Sequence, residues 1–321
     1  MISGQDVASS PWLSVVIPSY RGEQWIGASL RSIAAEAPHG VEVLLIDSSP
    51  TRATLDIAVA YSNRLDLRIF ERRDLDSWHT KTNFGVEAAK AAHISWLGVD
   101  DIWLPGRVAA TRAWIASAPN VPLHLSASDI IDKSGRRLGK WRCPLPPNRE
   151  LPSSFVRERL LVQNFIAAPS PVFRKDAWLG CGGLDEKLWY TADWDIWLKL
   201  ALLGPVYYHD VATIGFRIHA GSLTVAGSRN LAAFEQQMQL VLERHLLNLP
   251  DGRKDLARVA RASIAINTAL ASASSGDVGG LVRAVSQVLL LGPRGIHNYL
   301  RDSRIFERVA PRVRARARGV F

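Results

Sequence analysis

Cysteine is nearly absent. The 321 residues hold only Cys143 and Cys181, too few for a disulfide framework and without the spacing of a zinc site. A reducing compartment is therefore expected. No run of about 18 apolar residues occurs, so no membrane-spanning helix is expected. The opening segment MISGQDVASSPW has neither a basic start nor an apolar centre, and it does not read as a signal peptide. Internal repeats are missing, and the one compositionally biased patch is the Arg/Ala stretch near 312–318. No Ser-His-Asp or Cys-His arrangement stands out, which argues against a covalent nucleophile.

What is present is a large apolar complement, 47% of the chain, with 21% charged residues. That excludes a disordered chain and fits one catalytic domain with a smaller helical annex. Net charge is +9, which points to an anionic partner. The excess is uneven. Residues 301–321 carry seven arginines (301, 304, 308, 312, 314, 316, 318) against Asp302 and Glu307, a net of +5. The remainder is only mildly basic, so nucleic acid is not an expected partner.

Apolar runs and helical periodicities alternate along the first hundred residues. LSVVIP (13–18), VEVLLID (41–47), LRIFE (67–71) and HISWLGV (93–99) read as strands. Ile26, Leu30 and Ile33 recur at helical spacing, and 54–61 and 83–92 also read as helices. This alternation predicts an α/β fold: a mostly parallel sheet with helices on both faces. Such sheets bind ligands at the carboxyl ends of their strands, where strand order reverses. Ser19, Asp47, Asp100 and Asp101 fall at those ends. Further on, DKSG marks a turn between two strands within 123–142, and PLPPNRELP (144–152) reads as a loop. After Arg229 the sequence becomes Ala-, Leu- and Arg-rich with few aromatics. The boundary is drawn there, with a catalytic domain over 1–228 and a helical annex over 229–321.

Several of these residues carry chemistry. Asp100 and Asp101 are adjacent carboxylates that repel unless a cation or hydrogen-bond donors compensate. A hard divalent ion that also bridges a diphosphate would do so; a helix cap by Asp101 is the alternative. Asp47 can accept from a ribose hydroxyl or a base N–H, or it can form an Asx turn. In TADWDIWLKLALLG, helical phase puts Asp193 on the side of Ile196, Trp197 and Leu200, and Asp195 beside Lys199 as an exposed i,i+4 ion pair. Asp193 is then either an N-cap or a general base. His219, with Arg217 and Ser222 nearby, lies in a phosphate-compatible loop, and imidazole is a good divalent ligand.

In this order the pieces resemble glycosyltransferase family 2, with its GT-A fold. The matching stretches are SVVIPSYRG (14–22), VEVLLIDSSPT (41–51), KTNFGVEAAKAA (81–92), ISWLGVDDIWLP (94–105), PVFRKDAWLGCGGLDEKLWYTADWDIWLKLALLG (171–204) and FRIHAGSLT (216–224). The resemblance implies an inverting enzyme that uses a divalent metal, Mn2+ or Mg2+, and a nucleoside diphosphate sugar donor. It implies that Pro18, Ser19, Tyr20, Asp47, Asn83, Asp100 and Arg217 serve the donor, and that Asp101 and His219 hold the metal. Asp193 would deprotonate the acceptor hydroxyl, and Trp194 would shape the acceptor side. Three positions depart from the family pattern: Ser48 and Gly98 where acidic residues are common (Asn also at the second), and Ala192 where Glu is common.

The chemistry is coherent: a metal stabilises the leaving diphosphate, and one carboxylate activates the acceptor. The expected role is surface polysaccharide or glycolipid synthesis, with a glycan or lipid-linked acceptor. The apolar segment 279–293, followed by the arginines, suits a helix lying on an anionic membrane surface or one packed on the catalytic domain. The expected location is cytoplasmic, including the inner face of the cell membrane. The alternatives are a vestigial nucleotide fold serving as a basic membrane- or nucleic-acid-binding module, and a nucleotidyltransferase. The second should show a Gly-rich basic loop after the first strand, and SYRGEQW offers only Arg21 and Gly22.

Overall fold

The structure, a computed structural model, describes residues 10–222, 230–248, 254–274 and 277–317. The expected boundary at 228/229, the end of the FRIHAGSLT stretch and Arg318 lie outside the described residues. The first half alternates as the sequence predicts: β1 (Leu13–Ser19), α1 (Ile26–Ala35), β2 (Val41–Asp47), α2 (Ala53–Val59), β3 (Asp66–Glu71), α3 (Trp78–Ala88) and β4 (His93–Trp96). β1 and β2 are buried along their whole length, as expected for parallel strands covered on both faces.

Two of the boundaries that differ from the sequence reading have a local cause. α3 begins earlier than 83 because the Ser77 hydroxyl caps it by accepting from the Thr80 amide at 3.1 Å. β4 ends at Trp96, not at 99, because the chain turns at Gly98 and the Asp101 amide donates back to the Gly98 carbonyl at 3.0 Å. There follow β5 (Ile102–Trp103), α4 (Arg107–Ser117), the hairpin β6 (Leu123–Ile131) and β7 (Arg137–Trp141), β8 (Arg149–Leu151), which lies inside the expected loop, and α5 (Ser153–Val162). β9 (Val172–Arg174), α6 (Lys175–Gly180), α7 (Ala192–Leu202) and β10 (Val206–Arg217) complete the sheet domain.

The strand order is β3-β2-β1-β4-β9-β6-β10-β5, with β7 beside β6 and β8 beside β10. β1 pairs in parallel with both β2 and β4, whereas β9 runs antiparallel to β4 and β6. The chain therefore moves outward from β1 through β2 to β3 and returns on the other side at β4. The crevice beyond β1 and β4 is the place where strand order reverses.

The annex is helical: α8 (Leu231–Leu246), α9 (Lys254–Ser274), α10 (Val278–Leu290), α11 (Gly292–Ser303) and α12 (Ile305–Ala317). It packs on the sheet domain. Phe234, Met238, Val241, Leu242, Ala260 and Ile264 belong to the same apolar core as α5 and α7. Along α12, the Arg142 guanidinium pairs with Glu307 in the first turn at 2.7 Å, and Arg314 near the end donates to the Leu138 carbonyl at 2.8 Å. The arginine-rich end is thus largely engaged with protein.

α3 approaches β1 and β2 at Gly85. A Cβ there would collide with Val16 Cγ1 and lie 2.8 Å from Ile46 Cδ1. Alanine gains up to about 1 kcal/mol in helix propensity, but overpacking a tight core costs about 1–3 kcal/mol, and a β-branched valine cannot easily turn aside. Gly85→Ala is expected to be net destabilising in urea unfolding. A gain in stability would show that α3 can back away from the sheet.

Candidate active site

The ends of β1 and β2 are held together from beneath. Lys81 is buried and donates to the Ser19 carbonyl at 2.9 Å and to the Ser48 hydroxyl at 2.7 Å. Ser48, one of the departures from the family pattern, thus anchors this lysine. Asp47 is buried, and its carboxylate accepts from the Ser49 hydroxyl at 2.6 Å and more weakly from the Ser49 amide. The Ser49 oxygen accepts in turn from the Arg21 amide at 2.7 Å, where Arg21 takes a left-handed backbone with φ +51°. Asp47 thus forms an Asx-type turn. Its neighbour Tyr20 stands 55% exposed at the mouth of the crevice, as a flat ring available for stacking.

At the end of β4 the two carboxylates separate. Asp101 is buried, and its Oδ1 accepts from the Arg217 amide at 2.8 Å. Burial, reinforced by the charge of Asp100, pushes its carboxyl well above the usual range. It does not cap α4: the Glu36 carboxylate accepts from the Gly106 and Val108 amides there. Asp100 faces the cavity, and His219 Nε2 lies 2.9 Å from its Oδ2. The carboxylate beside His219 is therefore Asp100 rather than Asp101. Gly98 makes room for both, since a Cβ there would sit 2.6 Å from Asp101 Oδ2 and 2.9 Å from Asp100 Oδ1.

Arg217, expected at the donor, is spent mainly on structure. Its Nε donates to the Asp100 carbonyl at 2.6 Å, and Nη1 donates to the Asp132 and Lys133 carbonyls at 2.8 and 3.1 Å. Asn83 also departs from expectation. Its amide exchanges hydrogen bonds with Leu184, donating at 3.0 Å and accepting at 2.9 Å, so it ties α3 to the loop before α7 and does not line the cavity.

The cavity over these strand ends measures about 700 Å³. Pro18, Ser19, Tyr20 and Asp100 line one end, and Asp193 and Trp194 line the wall given by α7. The Asp193 Oδ2 accepts from Asn164 Nδ2 at 3.1 Å, and Oδ1 accepts from the Trp194 amide at 2.8 Å. Burial outweighs these bonds and holds the carboxyl at about 6. The Trp194 indole donates to the Leu160 carbonyl at 2.8 Å, which fixes the ring in the wall. Trp78 and Trp96 stack at 5.0 Å on the same surface. Neither they nor Asn164, Tyr190, Arg308 and Arg312, which also line the cavity, carry a motif by which the sequence could have revealed them.

Asp195 is not an exposed partner of Lys199. It is fully buried, and three basic side chains converge on it: Lys199 Nζ at 2.7 Å, Arg244 Nη1 at 2.9 Å and His245 Nε2 at 2.9 Å. The reason is that α7 is covered on both sides, by the sheet domain and by α8, so helical phase within α7 alone could not identify a solvent face. Ala192 is likewise buried.

A mixed α/β sheet with a cleft at the strand-order reversal, lined by carboxylates from two separate elements, is the architecture of a nucleotide-sugar transferase. Residues 14–142 match the family model described as Glycosyl transferase family 2. The chain resembles this family over that stretch and is a glycosyltransferase. It is 25% identical over 242 residues to an uncharacterised glycosyltransferase of Rickettsia prowazekii, covering 70% of each chain. It is 27% identical over 189 residues to a PGL/p-HBAD biosynthesis glycosyltransferase of Mycobacterium tuberculosis, covering 58% of this chain and 68% of the relative. The structure of S. aureus TarS 1-349 in complex with UDP-GlcNAc superposes with a TM-score of 0.62 at 17% identity, over 93% of this chain and 88% of that one. This chain spans 53% of a longer TarS chain. The mannosyltransferase PcManGT of Pyrobaculum calidifontis, in complex with GDP-Man and Mn2+, gives 0.51 at 15% identity over 95% and 87%. These likenesses show the GT-A fold.

Removing the charge of Asp195 leaves Lys199 and Arg244 without the buried carboxylate they share. Asp195→Asn is expected to cost about 3–5 kcal/mol, as breaking a buried ion pair does, and not the 1 kcal/mol or less of a surface pair. Burial raises this carboxyl, but the bonds from His245 and Lys199 prevail and hold it at about 2. Its contribution is therefore present above about pH 4 and is lost as pH falls toward 2. Urea unfolding of both proteins at pH 7 and pH 3 measures it; a difference that does not shrink at the lower pH would contradict this assignment.

Proposed function

We propose that the chain transfers a sugar from a nucleoside diphosphate donor to an acceptor hydroxyl with inversion, and that the product is a surface polysaccharide or glycolipid. The observation that carries this reading is one cavity lined by Asp100, bonded to His219, and by Asp193. The UDP-GlcNAc and GDP-Man in the names of two solved structures support the donor class, and the PGL/p-HBAD biosynthesis relative supports a biosynthetic role.

A divalent ion fits Asp100 and His219. The Asp100 carboxylate and the His219 imidazole, 2.9 Å apart, are an oxygen and a nitrogen donor that would hold such an ion. Among the described residues no three His, Cys, Asp or Glu side chains gather, so diphosphate oxygens would complete the shell, as is usual for magnesium. The Gly221 amide donates to His219 Nδ1 at 3.2 Å; the ring proton is then on Nε2, and a metal would take its place. When bound, the metal stabilises charge on the leaving diphosphate. Tyr20 offers the base a stacking surface.

Asp193 accepts the proton of the attacking hydroxyl. With its carboxyl at about 6 it is ionised at neutral pH yet basic enough to take a proton, the condition for general-base catalysis. Asn164, itself oriented by the Ile166 amide at 3.2 Å, holds one of its oxygens. Because folding raises this carboxyl, its protonated form stabilises the fold below about pH 4, and that contribution is lost as pH rises through about 6.

The test is nucleoside diphosphate affinity with manganese or chelator, together with transfer rate. Asp100→Asn and His219→Gln are expected to abolish the manganese-dependent part of binding, and Asp193→Asn to leave binding intact while lowering the rate by about 10²–10⁴-fold. Rate should rise with pH through about 6. Binding indifferent to manganese in the wild type would remove the metal role, and an active Asp193→Asn would remove the base.

For membrane association, the favoured element is α10, not the arginine-rich end. Leu281, Val282, Val285, Leu289 and Leu290 are 52–73% exposed on it, and no described helix is long and apolar enough to cross a membrane. Sedimentation with anionic vesicles should weaken in a Leu289→Ser/Leu290→Ser variant. Unchanged sedimentation would exclude α10 as the contact.

A further inference from the structure

α12 presents two different faces. One is fixed to the β6–β7 hairpin by Glu307, Arg314 and Pro311, whose ring packs on Gly139. The other carries Arg308 and Arg312, one turn apart, into the same cavity as Asp193. Their neighbours are neutralised: Arg301 pairs with Asp302 at 2.7 Å and Arg304 with Glu307 at 3.2 Å. Among the described residues neither Arg308 nor Arg312 has a carboxylate within ion-pair distance. The Nε and Nη1 of Arg308 are buried without a hydrogen-bond partner, and its Nη2 makes only a 3.5 Å contact with Asn267 Oδ1. Arg312 Nη1 donates to the Arg308 carbonyl at 2.7 Å.

Two guanidiniums in one apolar-lined cavity, with donors unsatisfied, are costly. Burial, and for Arg308 the charge of Arg312, lowers both from the ordinary arginine range, Arg308 to about 10, which still leaves it charged at neutral pH. Tyr190 lines the same cavity; burial raises its phenol, and the charges of Asp193, Arg312 and Arg308 also reach it. The surrounding wall from α8 and α9 is apolar, with Phe234, Met238, Ile264 and Leu270.

We propose that Arg308 and Arg312 form an anion site on the acceptor side of Asp193, and that the acceptor carries a phosphate joined to an apolar group. The assignment of the acceptor side rests on the glycosyl-transfer reading above. A phosphate offers enough oxygens to accept from two guanidinium forks at once, and the apolar wall takes the attached group. The cavity therefore selects an amphiphilic phosphate over a neutral glycan.

The test uses the full chain in chelator, so that no metal anchors a phosphate at Asp100 and His219. Titration calorimetry with hexyl phosphate, hexanol and inorganic phosphate compares the wild type with the double variants Arg308→Gln/Arg312→Gln and Arg308→Lys/Arg312→Lys. Hexyl phosphate should bind the wild type, weaken by about tenfold or more in the glutamine variant, as expected for lost hydrogen bonds to a charged group, and recover in part in the lysine variant. Hexanol should not bind measurably. UDP affinity with manganese should stay the same in all three proteins, and the melting temperature of the glutamine variant should not fall, because no ion pair is lost. Absence of hexyl phosphate binding in the wild type, or equal binding in the glutamine variant, overturns the site. Arginine-dependent inorganic phosphate binding as tight as that of hexyl phosphate overturns the apolar half of the proposal. If hexyl phosphate fails while UDP and manganese bind, this inference alone is wrong; if UDP and manganese fail in the wild type, the donor reading is wrong as well.

Discussion

Arg217 is the residue on which the geometry of the cleft depends. It ends β10, and its amide and guanidinium together bind Asp101, the Asp100 carbonyl and the carbonyls of Asp132 and Lys133. One side chain thus locks the acidic turn after β4 to the hairpin that follows β6. Because the Asp101 carboxylate is occupied by that amide, only the Asp100 carboxylate is left to face the cavity and His219. Two adjacent carboxylates that would otherwise repel are separated into one bonded to the β10 backbone and one facing the cavity.

The opposite wall is held in a comparable way. α7 carries Asp193 into the cavity, and two residues later Asp195 points away to Lys199, Arg244 and His245 of α7 and α8. The position of Asp193 is therefore coupled to the packing of the annex. The annex is more than a support, since α12 and α9 contribute residues to the cavity itself. The cleft is built mainly from the sheet domain and completed by the C-terminal helices.

Each departure from the family pattern has a local consequence. Ser48 accepts from Lys81, which closes the ends of β1 and β2. Gly98 leaves space for the two carboxylates after it. Ala192 is packed in the core beside Asp193, and the polar neighbour of Asp193 comes instead from Asn164, 29 residues earlier in the chain.

The sequence by itself determined the alternation of strands and helices, the crevice at the strand ends and the presence of Asp100, Asp193 and His219. These follow from periodicity, from runs too apolar to be exposed and from short motifs in order, all of which are local. It could not determine which of two adjacent carboxylates faces the cavity, because that depends on a hydrogen bond from Arg217, more than a hundred residues away. Nor could it place Asp195: helical phase tells which residues share a side, but not that a second helix covers the other one. The same applies to the arginines of the last helix. Their charge was legible, yet only the packing of α12 on the hairpin turned two of them into the cleft while others met carboxylates. Tertiary structure decided wherever a side chain's partner came from a distant part of the chain.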